Sequence, residues 1–454
     1  MAQFIISVIV IAVMANVILL ATAYLILLER KVAAWTQDRT GPNRTNFSFG
    51  LYDIWDKVGL GWLFRNYRML GLGQALADGL KLLIKEDYNP PHINRTLFLM
   101  APALAVLPAM LGWAIIPWGG VMALPNVDVF GFTIDKALVA FAAAPISLGL
   151  VYVLAIGSLG VYGVTIAGYA SNNKYSFFGS VRAAAQMLSY EIPQGLAVLI
   201  MILAFASADA TLVVNLQAGH VWGVFLHPVL AVIFFVCILA ECNRAPFDLA
   251  EAEQELVGGF HTEYSSMKWA MFFLGEYMHM ITGAAFFTVL FLGGWSLNPL
   301  TVLPFFHGAE LPMVADATAG TSHAVLMAVG LVVLKFVVFI VKVGVLLFVM
   351  MWIRWTLPRF RFDQLMTLAW RQMIPICLGI LTTTGLVIYF KLPLWWHPVA
   401  DVGVFGLAMI VDPMLPAGPN PNRRVPLEGS RFCPPPPHAS GSESEEAMAS
   451  VSHA

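Results

Sequence analysis

ECNRAPFDLAEAEQELVGGFHTEY, residues 241–264, sets six acidic side chains between two segments apolar enough to cross a bilayer. The chain as a whole is 59% hydrophobic and only 11% charged, so carboxylates at this density beside a membrane call for an explanation. One reading is that protons, or a substrate that carries electrons, are handled here. The other is an acidic loop bathed in water. Both depend on the flanking segments, and these decide the fold.

An apolar helix needs about 20 residues to cross the hydrocarbon core. Eight segments of the 454-residue chain meet that need, at roughly 4–28, 97–118, 137–167, 192–208, 221–241, 269–295, 324–353 and 372–391. The mean hydropathy of +0.76 agrees. Backbone polar groups in lipid must be satisfied within each segment, and none of these runs alternates with a period of two, so helices are expected and a barrel is not. The expected fold is an all-α polytopic membrane protein with about eight transmembrane helices plus an amphipathic interfacial helix. The run at 192–208 is short and contains Pro193, which predicts a tilted span or one whose start is buried in protein.

Orientation follows from Lys and Arg in the short loops. Of the 25 such residues, 18 fall in the odd-numbered loops, from Arg30 to Arg371, whereas the even-numbered loops carry only Lys136. The odd loops are therefore expected on the cytoplasmic side and both termini on the other. The first apolar run lacks a basic leader and is too long for a cleavable signal, so none is expected. Four cysteines, Cys237, Cys242, Cys377 and Cys433, lack the spacing of a zinc or iron–sulfur site. Gly71-Leu72-Gly73 lacks the third glycine and preceding strand of a dinucleotide fingerprint, and Gly157, Gly160 and Gly163 read as close helix packing. A redox role would thus place the cofactors on a partner.

The chain reads as one membrane domain over residues 1–400 followed by a low-complexity tail over 401–454, whose Pro, Ser and Glu content predicts disorder. Val402–Val411 is apolar but too short to span. Residues 45–70 mix aromatics with Lys57, Arg65 and Arg68, a composition suited to the headgroup level. Residues 72–85 read as the interfacial helix, with Leu76, Leu80, Leu83 and Ile84 in one stripe and Asp78, Lys81 and Lys85 elsewhere.

Glu29, Glu191, Glu241 and Glu276 lie at or inside the ends of spans. A charge at mid-bilayer costs about 2.5–3.5 kcal/mol on insertion scales, so each is a candidate for function, or else a helix-end carboxylate that reaches water or an arginine. Lys335 and Lys342, seven apart, share a helix face and could pair with these carboxylates, or Lys342 could snorkel to the surface. If 247–256 is helical, Asp248, Glu251 and Glu255 share a face and Glu253 points away. Repulsion among the three would then raise at least one carboxyl toward neutrality.

The stretch 241–264 resembles the hallmark loop of one membrane-subunit family of respiratory complex I, NADH:quinone oxidoreductase: the bacterial H subunit, called subunit 1 in mitochondria. Four further blocks match that family in the same order: LLERKVAAWTQDRTGPNR at 27–44, QALADGLKLLIKED at 74–87, VYGVTIAGYASNNKYSFFGSVRAAAQMLSYE at 161–191 and IRWTLPRFRFDQLMTLAWR at 353–371. The resemblance implies an eight-helix subunit of a proton-translocating enzyme that forms the quinone channel and couples quinone reduction to proton translocation. It implies no redox centre on this chain; flavin and iron–sulfur clusters belong to partner subunits. Carried over by motif, Arg30, Gln37, Arg39, Asp78, Arg244 and Asp248 would border the quinone channel. Glu29, Glu191, Glu241, Glu251, Glu253, Glu255 and Glu276 would form the acidic coupling path. The implied partners are the hydrophilic subunits of the quinone site, the antiporter-like membrane subunits, quinone and membrane lipids, with no nucleic acid, in a bacterial inner membrane rather than a mitochondrial one.

This chain departs from the family pattern in three ways. Residues 45–70 intervene where GPNR is normally followed within a few residues by the interfacial helix, Cys242 and Ala250 replace the usual Thr and Pro, and the tail has no family counterpart. Rival readings are the anchor subunit of an energy-converting hydrogenase, a stand-alone ion transporter and a purely structural anchor. The transporter predicts internal repeats that the sequence lacks, and the structural anchor needs no cluster of carboxylates near lipid. If residues 45–70 lie at the channel mouth, deleting them changes the KM of the assembled enzyme for long-chain quinones; an unchanged KM in membrane vesicles removes them from the mouth.

Overall fold

In the computed structural model the described residues are 2–43, 45, 56–57, 59, 71–123, 127–129, 132–134, 138–250, 253–299, 312, 314–316 and 322–414. Most of the insertion 45–70, residue Glu251 and residues 415–454 therefore lie outside them. Among the described residues seven helices are long and apolar enough to cross a membrane, and an eighth, Pro228–Glu241, is apolar but shorter. The chain is an all-α polytopic membrane protein with little sheet.

The long helices are α1 (Ala2–Trp35), α3 (Arg95–Gly112), the continuous pair α4 (Gly149–Ser158) and α5 (Gly160–Ala170), α6 (Lys174–Phe205), α11 (Ser266–Phe291), α12 (Ser322–Thr356) and α14 (Ile374–Tyr389). Shorter helices are α2 (Gly73–Ile84), α7 (Ala210–Gly219), α8 (Gly223–Leu226), α9 (Pro228–Glu241), α10 (Glu253–Leu256), α13 (Phe362–Thr367) and α15 (Trp396–Val411). The strands among the described residues are three residues long each. β1 (Val121–Ala123) pairs antiparallel with β4 (Leu138–Ala140) and parallel with β5 (Val314–Asp316), while β2 (Val127–Val129) and β3 (Phe132–Ile134) form a separate hairpin.

Burial sorts the helices. The apolar window of α11 is 72% buried, against 22% in α1 and α12, so α11 is the axis of the bundle and the other two are peripheral. Outward residues such as Leu20, Leu326 and Val341 are exposed, as expected of side chains that meet lipid. The core around α11 is aromatic, with Phe234, Phe286, Phe287 and Phe291 in mutual ring contact.

Glycine sets the closest approaches. A Cβ on Gly163 would stand 2.6 Å from the backbone nitrogen of Ala105, so α5 and α3 meet backbone to backbone. The residues read as a short span at 192–208 prove to be the second half of α6, which begins at Lys174 after Asn173 caps the amide of Tyr175 with its side chain. Pro193 sits inside that helix rather than at its start. The periodicity of 192–208 hid this, because the first half of α6 is polar enough to read as a loop.

Lys335 and Lys342 share a face of α12, and the hydrogen bonds of Lys342 go to backbone carbonyls rather than to the acidic cluster. Lys342 donates to the carbonyls of Leu292, Gly294 and Ser296, at 2.6, 2.9 and 2.5 Å, and lies 4.0 Å from the centre of the Trp222 ring. The unsatisfied carbonyls and negative dipole end of α11 draw the cation there. Lys335 is buried against Trp295.

The stretch read as tail from Asp401 opens inside a helix. α15 covers Trp396–Val411, and Asp401 is wholly buried with its Oδ1 3.0 Å from Nδ1 of His227, the residue just before α9. A few apolar residues too short to span can still fold when one buried polar pair and close packing, here Val404 against Gly379 of α14, supply the contact. If that pair anchors α15, Asp401→Ala and His227→Ala each lower the heat-unfolding midpoint of the purified protein. The double variant then loses less than the sum, with a coupling of about 0.5–3 kcal/mol; strictly additive losses refute the anchor.

Candidate functional site

A cavity of about 920 Å³ opens among α1, α2, α11 and the end of α12 that carries Arg354. Such a volume is at the upper end for small-molecule sites. Its walls follow from helical spacing. Ile26, Arg30, Ala33 and Gln37 recur on one side of α1 and the turn after it, while Leu76, Leu80 and Leu83 recur on α2. The leucine stripe that marks α2 as amphipathic faces this cavity and is otherwise uncovered, with Leu83 62% exposed. From α11 come Met267, Trp269, Phe273 and Tyr277. The cavity is thus an apolar slot with charged groups at its two ends.

At the mouth, Arg30 pairs with Asp78 at 2.7 Å, and Gln74 donates to the second oxygen of Asp78 at 2.9 Å. The Arg39 guanidinium donates to the Gln37 side chain. These pairs are solvent-exposed and contribute little stability.

The deep end differs. Arg244 is 3% exposed and lies 3.7 Å from Glu29 of α1 and 3.4 Å from Glu276 of α11. Its guanidinium stacks 4.2 Å from the Tyr277 ring centre. Glu29, also buried, accepts from the Tyr277 hydroxyl at 2.6 Å and from Arg354. Arg244 reaches this place because the chain after α9 leaves the helix. Gln186, buried in α6, donates to the carbonyls of Ala240 and Phe247 at 2.8 and 2.6 Å and so clamps both ends of the loop that carries Arg244.

From Glu276 the polar groups continue inward. A small cavity of about 30 Å³ is lined by Glu276, Glu241 and His279, and a second of about 30 Å³ by Glu241, His279, Gln194 and Glu191. Each has room for one or two waters. Glu241 accepts from Gln194 at 2.9 Å. A Cβ on Gly157 would come within 3.0 Å of Glu241 Oε1, so the bare glycine is what makes space for this carboxylate.

Of the residues singled out from sequence, Arg30, Gln37, Arg39, Asp78, Arg244 and Glu29 line the large cavity. Glu276, Glu241 and Glu191 line the two small ones. Asp248 is half-buried and is not among the cavity residues. Glu251 and the side chain of Glu253 lie outside the described residues. Of the described residues within 247–256, Glu253–Leu256 are helical and 247–250 are not. Phe247, Leu249 and Ala250 are instead buried in a loop, with the Phe247 amide closing a turn onto the Arg244 carbonyl and the Phe247 carbonyl committed to Gln186. The common face assumed for Asp248, Glu251 and Glu255 therefore lacks the helix it required.

Glu255 does not show the upward shift expected from mutual repulsion. It is exposed and pairs with Arg182 at 2.6 Å, and that hydrogen bond, with Arg359 and Arg361 nearby, holds its carboxyl below the usual range. The residues that sequence reasoning missed are Tyr277, Arg354, Gln186, Gln194 and His279. Tyr277 and His279 were readable as neighbours of Glu276 on α11, but the two glutamines carry no signal in a helix that has many polar residues.

Residues 8–385 match the profile of the family described as NADH dehydrogenase. The chain is 39% identical over 386 residues to the H subunit of the NADH-quinone oxidoreductase of Flavobacterium psychrophilum, covering 85% of this chain and 97% of that one. It is 40% identical over 378 residues to an H subunit of the same enzyme, numbered 1, in Geobacter sulfurreducens, covering 82% and 91%. Against the H subunit of Leptospira biflexa it is 39% identical over 378 residues, covering 83% and 93%.

Removing Arg244 leaves Glu29 and Glu276 buried with one cation fewer between them. Arg244→Ala should cost about 3–5 kcal/mol of stability, seen as a lower unfolding midpoint of the purified protein, and Arg244→Ala/Glu276→Gln should recover part of it. A midpoint equal to the parent's in Arg244→Ala contradicts the bridge.

Proposed function

The chain belongs to the NADH dehydrogenase family as a multi-pass membrane subunit of an NADH-quinone oxidoreductase, and on that premise we propose that its large cavity is the quinone channel. Quinone is the substrate of the complex, and the other subunits of the complex are this chain's partners. The observation that carries the reading is the shape of the cavity: an apolar slot of about 920 Å³ that ends on a buried Arg244–Glu29–Glu276 cluster. A quinone has the same polarity profile, a polar ring on a long apolar tail. Leu76, Leu80, Leu83, Trp269 and Phe273 suit the tail, while Arg30, Gln37, Arg39 and Asp78 suit the level where headgroups and water meet.

The second half of the proposal is coupling. Reduction of a quinone consumes two electrons and two protons, with the electrons arriving from an iron–sulfur cluster on a hydrophilic partner. This chain contributes buried charge near the reacting ring. A new charge at the deep end of the slot acts on Glu29 and Glu276 through a medium far less screening than water. Arg244 touches both carboxylates, so a shift in its balance between them changes the proton affinity of each. Beyond Glu276, the carboxylates Glu241 and Glu191 along the two small cavities carry that response toward the antiporter-like subunits. Glu255, held ionised by Arg182, serves better as a surface contact than as a carrier. The lysine and arginine of the odd loops support a cavity mouth on the cytoplasmic face, the side on which the hydrophilic subunits dock in this reading.

The names of the relatives, all subunits of quinone-reducing complexes, favour this reading over a hydrogenase anchor. In the assembled complex a photoreactive quinone with an isoprenoid tail should label peptides from 73–84 and 266–277, and excess unlabelled quinone should suppress the labelling. Labelling confined to other subunits or other helices refutes the channel.

A further inference from the structure

Three residues line both small cavities: Met187, Glu241 and His279. Glu276 lines only the cavity nearer Arg244, and Glu191 only the farther one. A proton travelling from Glu276 to Glu191 along this file must therefore pass the Glu241–His279 position, since the Met187 thioether has no proton to give or take.

The backbone beside them is shaped for these two side chains. Gly157 and Gly160 lie three apart on the continuous α4–α5 helix and so form neighbouring points on one face. A Cβ on Gly157 would come within 3.0 Å of Glu241 Oε1, and one on Gly160 within 3.3 Å of His279 Nε2. One bare strip of helix thus seats the carboxylate and the imidazole side by side. Glu241 Oε2 is occupied by the Gln194 amide, which leaves Oε1, the atom over Gly157, as the side of the carboxylate open to exchange. On α11, His279 follows Glu276 by three residues and so projects from the same face.

We propose that His279 is the proton relay between Glu276 and Glu241, an assignment that rests on the coupling role read above. An imidazole suits the task because it takes a proton at one ring nitrogen and releases another from the opposite one. Neutral His279 accepts the proton of a protonated Glu276, leaving the Glu276 carboxylate beside Arg244. The imidazolium then gives the proton on its other nitrogen to the Glu241 carboxylate. Exchange of the ring tautomer returns His279 to its starting state, so one proton has moved and the histidine is unchanged. Glu191, from α6, takes the proton onward; Ser158, Gln194 and Thr282 are the other polar groups of the farther cavity, and Cys242 and Asn243 those of the nearer one.

The test uses the assembled complex in sealed membrane vesicles, with NADH oxidation and proton uptake measured together. His279→Ala is expected to slow coupled turnover by about tenfold or more, and added imidazole should restore part of it. His279→Asn, which keeps a polar side chain but cannot pass a proton, should be as slow and should not respond to imidazole; it also serves if the alanine variant fails to assemble. Wild-type coupling in either variant overturns the proposal, and so does a loss in assembled His279→Ala that imidazole leaves untouched, since that is the mark of packing. Glu241→Gln separates the two levels of the argument. If it abolishes coupling while the His279 variants are normal, the relay alone is wrong. If Glu241→Gln also couples normally, the coupling role of the file falls with it.

Discussion

Arg244 holds together parts of the chain that are far apart in sequence. Its guanidinium lies between Glu29, near the end of α1, and Glu276, in the middle of the most buried helix. Taking ions out of water costs several kcal/mol each even after relaxation, so the burial of Arg244 depends on these two carboxylates, while Glu29 also has Arg354 as a second cation. The loop after α9 must therefore enter the bundle at this depth, and α1 must lie against α11 in the register that brings Glu29 to Tyr277. The deep wall of the large cavity is a consequence of that arrangement. So is the start of the acidic file, because Glu276 belongs both to the bridge and to the first small cavity.

Two further features keep this charged region open to chemistry inside a tightly packed bundle. The first is glycine at the α3–α4–α5 contacts. Gly163 lets two backbones touch, while Gly157 and Gly160 leave room for polar side chains instead. The second is the shortness of α9, 14 residues long with Glu241 as its last. A helix of that length rises about 21 Å, less than the hydrocarbon thickness. Its terminal carboxylate consequently ends inside the bundle, and Gln194 compensates the burial. At its other end the helix begins next to His227, whose bond to Asp401 ties in α15, a segment beyond the 8–385 region shared with the family.

Which residues share a face depends on backbone conformation, and spacing alone does not fix that conformation. Asp248 and Glu255 carry helical spacing in the sequence, yet Pro246 and the buried Phe247, Leu249 and Ala250 take the chain through a loop, and a spacing rule has no meaning there. Lys335 and Lys342 were legible as one face of a helix. The partners of Lys342 were not, since the carbonyls past the end of α11 become an attractive site only once that helix stops beside them. Gln186 and Gln194 were invisible for a related reason: a glutamine in a long helix matters only through what lies opposite it.

Most of the spans, their helical character, the odd-loop charge bias and the acidic stretch at 241–264 were determined by the sequence alone. Hydrocarbon thickness and the cost of unpaired backbone groups act on local composition, and local composition is what a sequence displays. Five of the carboxylates singled out, Glu29, Asp78, Glu191, Glu241 and Glu276, do line the cavities. Tertiary structure decided which carboxylates in that set are buried and which, like Glu255, meet an arginine in water. It also decided that Arg244 is shared and that His279 stands beside Glu241. Each of these depends on distances between segments tens to hundreds of residues apart, and the free energy of a buried charge is fixed by such neighbours rather than by the residue that carries it.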